Sequence, residues 1–169
     1  DTTDGSEQLF VRISGLPGMR AIAGGGSHSV ALANDGTVWT LGSNDYGQIG
    51  DGTITDRLTP VQVAGLSGVR AIAAGNITSF ALKNDGSIWA RGGNYSYQLG
   101  DGADDNQLRP VQITGLSGST SISSYAHGLA LRADGTVFAW GSSDFGQIGD
   151  GTPANRAQPD VGLRENSAG

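Results

Sequence analysis

The fold is decided by residues 42–52, which read GSNDYGQIGDG and return twice further along the chain. The second copy, GGNYSYQLGDG, occupies residues 92–102, and the third, GSSDFGQIGDG, occupies residues 141–151. The copies begin 50 and 49 residues apart. A fixed period of this length is typical of proteins built from repeated supersecondary units, so the sequence predicts a repeat protein.

The repeat extends well beyond the glycine-rich segments. The chain divides into three units with a partial unit at each end, at residues 11–60, 61–110, 111–159, 1–10 and 160–169. The first two units are identical at 24 of 50 positions without a gap. We therefore expect residues 1–169 to form a single repeat domain, which is long enough to bury a core.

Each unit predicts four short strands and no helix, at residues 11–13, 20–23, 29–32 and 37–41 of the first unit. Asp35-Gly36 separates the last two strands and predicts a hairpin turn of type I′, in which both central residues have positive φ. The inner strands are rich in Ala, Gly and Ser and apolar on both faces, which is typical of strands covered on both sides. Four antiparallel strands per unit, packed radially, indicate an all-β propeller with three blades.

Composition argues against several classes of function. The net charge is −6 and the ten Lys and Arg residues are scattered, so no basic stripe predicts nucleic-acid binding. No apolar run approaches the ~18 residues of a membrane-spanning helix. Cysteine is absent, which leaves neither a disulfide nor a thiolate site. The excess of arginine over lysine, together with the repeats, favours an extracellular or cell-surface protein of a bacterium.

The first unit resembles a known repeat. Residues 22–32 (IAGGGSHSVAL), followed by Asp35-Gly36, by Gly47-Gln48-Ile49-Gly50 and by Pro60-Val61, are similar to the regulator of chromosome condensation repeat. That resemblance implies propellers, usually of seven blades, whose members mostly bind proteins, among them a small GTPase and histones. Three blades cannot close a ring, which takes about four to eight. We therefore expect a second chain, related by two-fold symmetry, or further blades to complete it.

The chain departs from the pattern of this family at several positions. The family favours Trp-Gly at the end of the fourth strand, but only Trp140-Gly141 keeps it, because Leu41 and Arg91 stand at the matching positions. We expect Arg91 either to pair with an acidic residue at a blade boundary or to reach solvent with its stem buried. Tyr97 replaces a glycine of the repeat.

Few residues are candidates for catalytic or metal chemistry. His28 and His127 are the only histidines, and each is interpreted either as a general base or metal ligand or as a structural residue before a strand. Their identical repeat position favours the structural interpretation. The acidic segment 101–106 offers calcium ligands, but its spacing does not match an EF-hand loop and favours an ordinary turn. No catalytic, cofactor-binding or metal-binding residue is therefore predicted.

Loop residues that differ between units are the better candidates for a binding site, since residues identical in every unit are expected to build the scaffold. The candidates are Asp45, Tyr46, Tyr95, Tyr97, Asp144 and Phe145. Exposed aromatic side chains are typical interface anchors. The predicted function is a non-enzymatic protein-binding or scaffold module that uses one rim of loops. Its partner is an unidentified protein, a second copy of the chain or further blades.

Two alternatives stay open. One is a propeller enzyme, a lyase or hydrolase with its site at the end of the central channel, because fold alone does not exclude catalysis. The other is a structural propeller fragment whose role is self-assembly.

Overall fold

The computed structural model describes residues 12–160, and all regular structure in that range is β-strand. The strands are β1 Met19–Gly24, β2 His28–Ala33, β3 Val38–Gly42, β4 Arg57–Gln62, β5 Val69–Ala74, β6 Thr78–Lys83, β7 Ile88–Gly92, β8 Gln107–Ile113, β9 Ser119–Ser124, β10 His127–Arg132, β11 Val137–Gly141 and β12 Arg156–Asp160. The partial unit at 1–10, and residues 161–169 of the last one, lie outside the described residues. Within 12–160 there is no helix long and apolar enough to cross a membrane.

The strands form three four-stranded antiparallel sheets, here called blade 1 (β1–β4), blade 2 (β5–β8) and blade 3 (β9–β12). Within each blade the strands pair in sequence order. The first strands of neighbouring blades contact each other, β1 with β5 and β5 with β9, so the blades converge along these strands. The predicted all-β fold with three four-stranded propeller blades is confirmed, and the described residues leave the ring open.

Small side chains allow the first strands to converge, since β1 reads MRAIAG, β5 reads VRAIAA and β9 reads STSISS. Apolar side chains fill the space between the blades. The core between blades 1 and 2 contains Val30, Leu32, Val38, Val63, Leu66, Val69 and Ala81, and the core between blades 2 and 3 contains Phe80, Leu82, Ile88, Leu99, Ile113 and Trp140. Each large side chain buried there contributes about 1.5–3 kcal/mol to stability.

The predicted units are displaced from the blades by one strand. The first strand predicted for the first unit is not a strand where the structure describes it, at residues 12–13, and Val11 lies outside the described residues. The matching residues Val61 and Val111 lie in β4 and β8, the fourth strands of the preceding blades. The chain reaches these strands only after the long loop that follows the third strand, so the repeat boundary divides a sheet.

The Asp-Gly turns are not of the predicted type I′. The Ala33 N–H donates to the Thr37 carbonyl (2.9 Å), and the Gly36 N–H donates to the Ala33 carbonyl (3.0 Å), so three residues rather than two connect β2 and β3. Among these three only Gly36 has a positive φ, +83°, which makes the connection a type I turn followed by a glycine bulge. Asp35 closes it through its carboxylate, which accepts from the Thr37 N–H (2.9 Å) and hydroxyl (2.7 Å). The prediction was wrong because the preceding asparagine belongs to the turn.

Candidate protein-binding rim

Three long loops line one edge of the propeller, because each follows the third strand of its blade. These rim loops are residues 43–56 after β3, 93–106 after β7 and 142–155 after β11. They contain most of each glycine-rich segment and all six predicted binding residues. The internal bonding of the loops therefore decides how those residues are presented.

A buried amide fixes the first rim loop from inside. The Asn44 side-chain nitrogen donates to the Thr53 and Thr55 carbonyls (2.9 and 3.1 Å), and the side-chain oxygen accepts from the Ile49 N–H (3.0 Å). The Asn44 backbone N–H donates to the Asp56 carboxylate (2.8 Å). A fully buried asparagine that makes all these bonds holds both ends of the loop together.

The other two rim loops repeat this arrangement with substitutions. The Asn94 side chain donates to the Ala103 carbonyl (2.8 Å) and accepts from the Leu99 N–H (2.9 Å). In the third loop Ser143 takes the place of the asparagine, and its hydroxyl donates to the Thr152 carbonyl (3.3 Å). All three loops are thus bonded internally, and the third loop through fewer side-chain groups.

Residues identical in all three loops also act within the loops. The amide oxygens of Gln48, Gln98 and Gln147 accept from the N–H two positions earlier, at 3.0, 2.7 and 2.9 Å. The Asp51 carboxylate lies 2.5 Å from the Arg57 guanidinium. Partial burial works to raise the pKa of Asp51, but hydrogen bonds to the carboxylate and the charge of Arg57 outweigh it and lower the pKa. These side chains stiffen the rim, which is the scaffold role predicted for invariant residues.

Three aromatic side chains project from this scaffold. Tyr46 is 38 % exposed, Tyr95 63 % and Phe145 95 %. Tyr46 and Tyr95 come from different blades, and their rings form a tilted pair with 6.3 Å between centroids. Asp45 and Asp144, directly before Tyr46 and Phe145, are exposed as well. The rim therefore presents aromatic and acidic side chains together.

Tyr97 differs from the other predicted binding residues. It is half-buried and has a φ of +61°, where the matching Gly47 and Gly146 have +84° and +76°. It is the only residue other than glycine with a positive φ in the described part of the chain. A left-handed backbone costs a residue such as tyrosine roughly 1–2 kcal/mol. The structure thus places Tyr97 in a strained turn beside the exposed tip of its loop.

The segment 101–106, considered as a calcium site, forms a turn. The Asp101 carboxylate accepts hydrogen bonds from the Asn94 amide (3.0 Å), the Ala103 N–H (3.1 Å) and the Gln107 amide (3.1 Å). Asn106 accepts from the Asn94 backbone N–H (2.9 Å). Within residues 12–160 no three His, Cys, Asp or Glu side chains are arranged as metal ligands.

His28 is buried at the boundary between blades 1 and 2. Its Nε2 lies 2.8 Å from the Ser79 hydroxyl of blade 2, and that hydroxyl donates to the Gln48 carbonyl of blade 1 (2.8 Å). Burial, and then the nearby charge of Arg91, lowers the pKa of His28 from 6.5 to about 4. The ring is therefore neutral at pH 7 and joins two blades, which supports the structural interpretation of this histidine.

Arg91 is fully buried at the same boundary, and both expectations for it were wrong. Its Nε donates to the Ile49 carbonyl (3.2 Å), whereas Nη1 and Nη2 have no hydrogen-bond partner among the described residues. It therefore neither pairs with an acid nor reaches solvent, and burial lowers the pKa of Arg91 to about 9. A Cβ at Gly50 would lie 2.1 Å from Arg91 Cδ, so this glycine makes room for the arginine stem.

The boundary between blades 2 and 3 is built differently at the same repeat positions. Trp140 stands where blade 2 has Arg91, is fully buried, and donates from Nε1 to the Gln98 carbonyl (3.0 Å). Its ring lies 6.0 Å from the Phe80 ring, centroid to centroid. Gly128 occupies the position of Ser79, and a Cβ there would lie 2.2 Å from the indole. One boundary is therefore polar at this position and the other aromatic.

The link between these two positions was not predicted from the sequence. Comparison of the same position in different units does not reveal which different positions lie side by side in one blade. A signal was nevertheless present in the sequence. Ser79 faces Arg91 across β6 and β7, and Gly128 faces Trp140 across β10 and β11. The small residue and the large one change together between the two blades.

Two family models match the chain, and both are described as the Regulator of chromosome condensation (RCC1) repeat. The first matches residues 35–82 and 85–128, and the second matches residues 19–48 and 123–147. The first model alone covers more than half of the 169 residues.

Solved structures are similar over most of the chain. Prp20p from Saccharomyces cerevisiae, described with its binding properties to Gsp1p and histones, is 22 % identical, with a TM-score of 0.79 over 88 % of this chain and 39 % of its own. Human WBSCR16 is 24 % identical, with a TM-score of 0.78 over 92 % of this chain and 42 % of its own. Yeast RCC1 (Prp20) bound to Kap60 is 22 % identical, with a TM-score of 0.79 over 88 % of this chain and 38 % of its own.

These comparisons agree with the strand order and with the repeat. The chain spans about two fifths of the length of the similar structures, and identity at this level shows the fold alone. The family models match the sequence of the repeat itself, including the Asp-Gly turns and the rim segment of the first unit. The chain therefore belongs to the family of regulator of chromosome condensation (RCC1) repeat proteins.

Proposed function

We propose that the chain is a non-enzymatic protein-binding module whose partner docks on the rim loops. The proposed contact residues are Asp45, Tyr46, Tyr95, Tyr97, Asp144 and Phe145. The observation that carries the proposal is the exposure of Tyr46, Tyr95 and Phe145 on loops whose own polar groups are bonded internally. Aromatic side chains held on rigid loops lose little conformational entropy on binding, which makes them efficient anchors.

Binding of proteins also agrees with what is described for similar structures. The structure of Prp20p is described together with its binding to Gsp1p and histones, and yeast RCC1 (Prp20) was solved in complex with Kap60. The acidic residues of this rim, Asp45 and Asp144, and the net charge of −6 favour a partner with a basic or polar face.

The enzyme alternative requires accessible acid–base groups from different blades at one end of the channel. His28 does not offer one, because it is buried, neutral at pH 7 and bonded to Ser79. The ionised Asp51 is bonded to Arg57 in its own blade. These contacts argue against His28 and Asp51 as catalytic groups.

Site-specific photo-crosslinking tests the proposal. A photo-reactive phenylalanine analogue replaces Phe145 on the rim or, as the matched control, Asp134 in the exposed β10–β11 turn at the opposite edge of the same blade. In a lysate of the source organism, the analogue at position 145 is expected to give one discrete adduct with a protein other than a second copy of the chain, and the analogue at 134 no such adduct.

A further substitution removes a neighbouring anchor. Tyr95→Ser is expected to weaken the adduct at position 145 several-fold without changing the far-UV circular dichroism, because Tyr95 is 63 % exposed. Equal adducts from positions 145 and 134, or an adduct indifferent to Tyr95→Ser, would contradict a binding surface at the rim.

A further inference from the structure

The two end blades each present an apolar face that has no neighbouring blade among the described residues. In every blade, the leading face is the side that contacts the preceding blade, and the trailing face is the side that contacts the following blade. The two open faces are the leading face of blade 1 and the trailing face of blade 3. We propose that the trailing face binds the leading face of a second copy, so that two chains related by a two-fold axis close a six-bladed ring.

The trailing face consists of core positions that are left open. Leu32 and Val38 are fully buried between blades 1 and 2, and Leu82 and Ile88 are fully buried between blades 2 and 3. The matching residues of blade 3 are Leu131, which is 40 % exposed, and Val137, which is 51 % exposed. Exposed apolar surface of this kind favours association.

The leading face shows the same contrast. Leu108 of blade 2 packs over Gly47 of the preceding blade, where a Cβ would lie 2.6 Å from Leu108 Cδ2. The matching residue of blade 1 is Leu58, which is 92 % exposed. On the opposite face, Gly146 of blade 3 matches Gly47 and has no atom of the described residues within 4 Å of its Cβ position.

The side chains distinguish two types of boundary. In the boundary between blades 1 and 2, a histidine and a glycine (His28, Gly47) meet a serine and a leucine (Ser79, Leu108). In the boundary between blades 2 and 3, the same repeat positions hold a threonine and a tyrosine on the trailing side (Thr78, Tyr97). On the leading side they hold a glycine and an alanine (Gly128, Ala157).

The two open faces match the first type at these positions, although Leu41 stands in blade 1 where blade 2 has Arg91. The trailing face of blade 3 carries His127 and Gly146, and the leading face of blade 1 carries Ser29 and Leu58. In the ring, Ser29 of a second copy would therefore contact His127, as Ser79 contacts His28. Leu58 of the second copy would pack over Gly146, as Leu108 packs over Gly47. This match of type is the reason for assigning the open faces to each other.

Backbone contacts common to both internal boundaries complete the match. The Val69 N–H donates to the Gly36 carbonyl (3.2 Å), and the Gly52 N–H donates to the Leu108 carbonyl (2.9 Å). The same two hydrogen bonds could form between two copies of the chain. The Met19 N–H of one copy would donate to the Gly135 carbonyl of the other, and the Gly151 N–H of one would donate to the Leu58 carbonyl of the other. Six blades fall within the range of about four to eight found in closed propellers.

The test is the mass of the 169-residue chain in solution, measured by size exclusion with light scattering. At about 100 µM, above the micromolar Kd of weak specific interfaces, we expect twice the 17.2 kDa of one chain. Leu58→Glu is expected to return the chain to single mass with unchanged far-UV circular dichroism. His127→Thr, which introduces the threonine of the second type on the trailing face, is expected to raise the Kd at least about tenfold.

Ile54→Glu is the matched control, because Ile54 is 63 % exposed in a rim loop and lies at no position that makes a boundary contact. It should leave the doubled mass unchanged. A folded single-chain mass at about 100 µM, a ladder of larger masses, or a dimer that survives Leu58→Glu would each overturn the proposal. Since none of the rim contact residues is changed, failure of this ring would leave the crosslinking result at Phe145 to stand by itself.

Discussion

The boundary between blades 1 and 2 and the boundary between blades 2 and 3 share their backbone contacts and differ in their side chains. In both, the N–H of the first residue of one blade donates to the carbonyl of the turn glycine of the preceding blade, as the pairs Val69–Gly36 and Ser119–Gly86, each at 3.2 Å, show. The side chains differ at several repeat positions, and the largest change is at the one where Arg91 is buried in the first boundary and Trp140 in the second. The main chain thus sets the spacing of the blades, and the side chains decide how stable each boundary is.

The energetic contrast between the two boundaries is large. Trp140 buries an indole whose only polar group is bonded to the Gln98 carbonyl. Arg91 buries a guanidinium with two nitrogens that lack partners in residues 12–160. A buried charged group without partners is costly, so the boundary between blades 1 and 2 is expected to be the weaker one.

The largest effect is expected from Trp140→Ala. Loss of a fully buried indole that contacts Phe80 should lower the free energy of unfolding by about 3–5 kcal/mol, as measured by urea denaturation. Trp39→Ala is the control, because Trp39 is only half-buried in blade 1. If both substitutions cost the same, the boundary between blades 2 and 3 would not be the strong one.

The next effect is a dependence on pH that belongs to the boundary between blades 1 and 2. The pKa of His28 is about 4 in the folded protein and 6.5 in the unfolded chain. Between these values the unfolded chain binds more protons, so stability is full above pH 6.5 and falls as the pH drops towards 4. The loss should reach up to about 3 kcal/mol at pH 4, as measured by urea denaturation between pH 7.5 and 4.

His28→Gln is the control for this titration, since glutamine keeps a donor for Ser79 and does not titrate. We expect a flatter profile between pH 6.5 and 4 in this variant. Burial also lowers the pKa of His127, so a smaller slope remains. Carboxylates with lowered pKa, such as Asp35 and Asp85, lose their contribution only as the pH falls below their ordinary range near 3.8. Identical profiles for wild type and His28→Gln would refute the assignment.

A third substitution converts one boundary toward the other. Arg91→Trp alone should lower the free energy of unfolding by about 1–3 kcal/mol, because Ser79 has a Cβ where the indole of blade 3 lies against Gly128. Adding Ser79→Gly creates the space beside residue 91 that Gly128 leaves beside Trp140. Adding His28→Thr removes the imidazole donor, which would otherwise have lost its acceptor, the Ser79 hydroxyl. The triple variant should regain the loss of the single variant in urea denaturation.

A triple variant no more stable than Arg91→Trp would show that more than these three positions separates the two types of boundary. Arg91→Met probes the same point without an indole. It removes the buried guanidinium and should leave stability unchanged or raised by about 1 kcal/mol. A loss above about 2 kcal/mol would mean that the arginine is well satisfied where it lies.

The smallest effect concerns the rim. Tyr97→Gly relieves a positive φ worth roughly 1 kcal/mol and removes a half-buried ring, so the two changes should nearly cancel in urea denaturation. The reverse change, Gly47→Tyr, should destabilise strongly, because a Cβ there would lie 2.6 Å from Leu108 Cδ2. Equal effects of the two substitutions would mean that Leu108 does not crowd position 47.

Much of the fold follows from the sequence because the period is local information. The glycine-rich segments and the Asp-Gly turns specify four strands per unit, and three copies specify three blades. The placement of Val61 was not predictable in this way. Whether it joins the sheet of its own unit, which contains β7, or pairs with β3 of the preceding unit depends on how the loop from 43 to 56 returns. The periodicity of the sequence is the same in both cases.

The site was less predictable than the fold. Exposure of Tyr46 and Phe145 agrees with the glycines and aspartates around them, which indicate a loop. The contact of Tyr46 with Tyr95 and the burial of Arg91 depend on residues about 40 to 50 positions away, for which no local pattern exists. Arginine is seldom buried without a partner, so propensity favoured the wrong environment for Arg91.

The shared backbone contacts have a consequence for how such chains change in length. Each unit carries both the backbone donors and the backbone acceptors of a boundary. After duplication or deletion of a whole unit, every one of these main-chain groups would still meet a partner in the neighbouring unit. The side chains impose an order on the units, however. A unit with Thr78 and Tyr97 on its trailing side precedes a unit with Gly128 and Trp140. Shuffling the units would place Trp140 against a trailing side of the other kind, which carries His28 and Gly47. The main chain therefore tolerates a change in the number of units, whereas the side chains restrict which unit follows which.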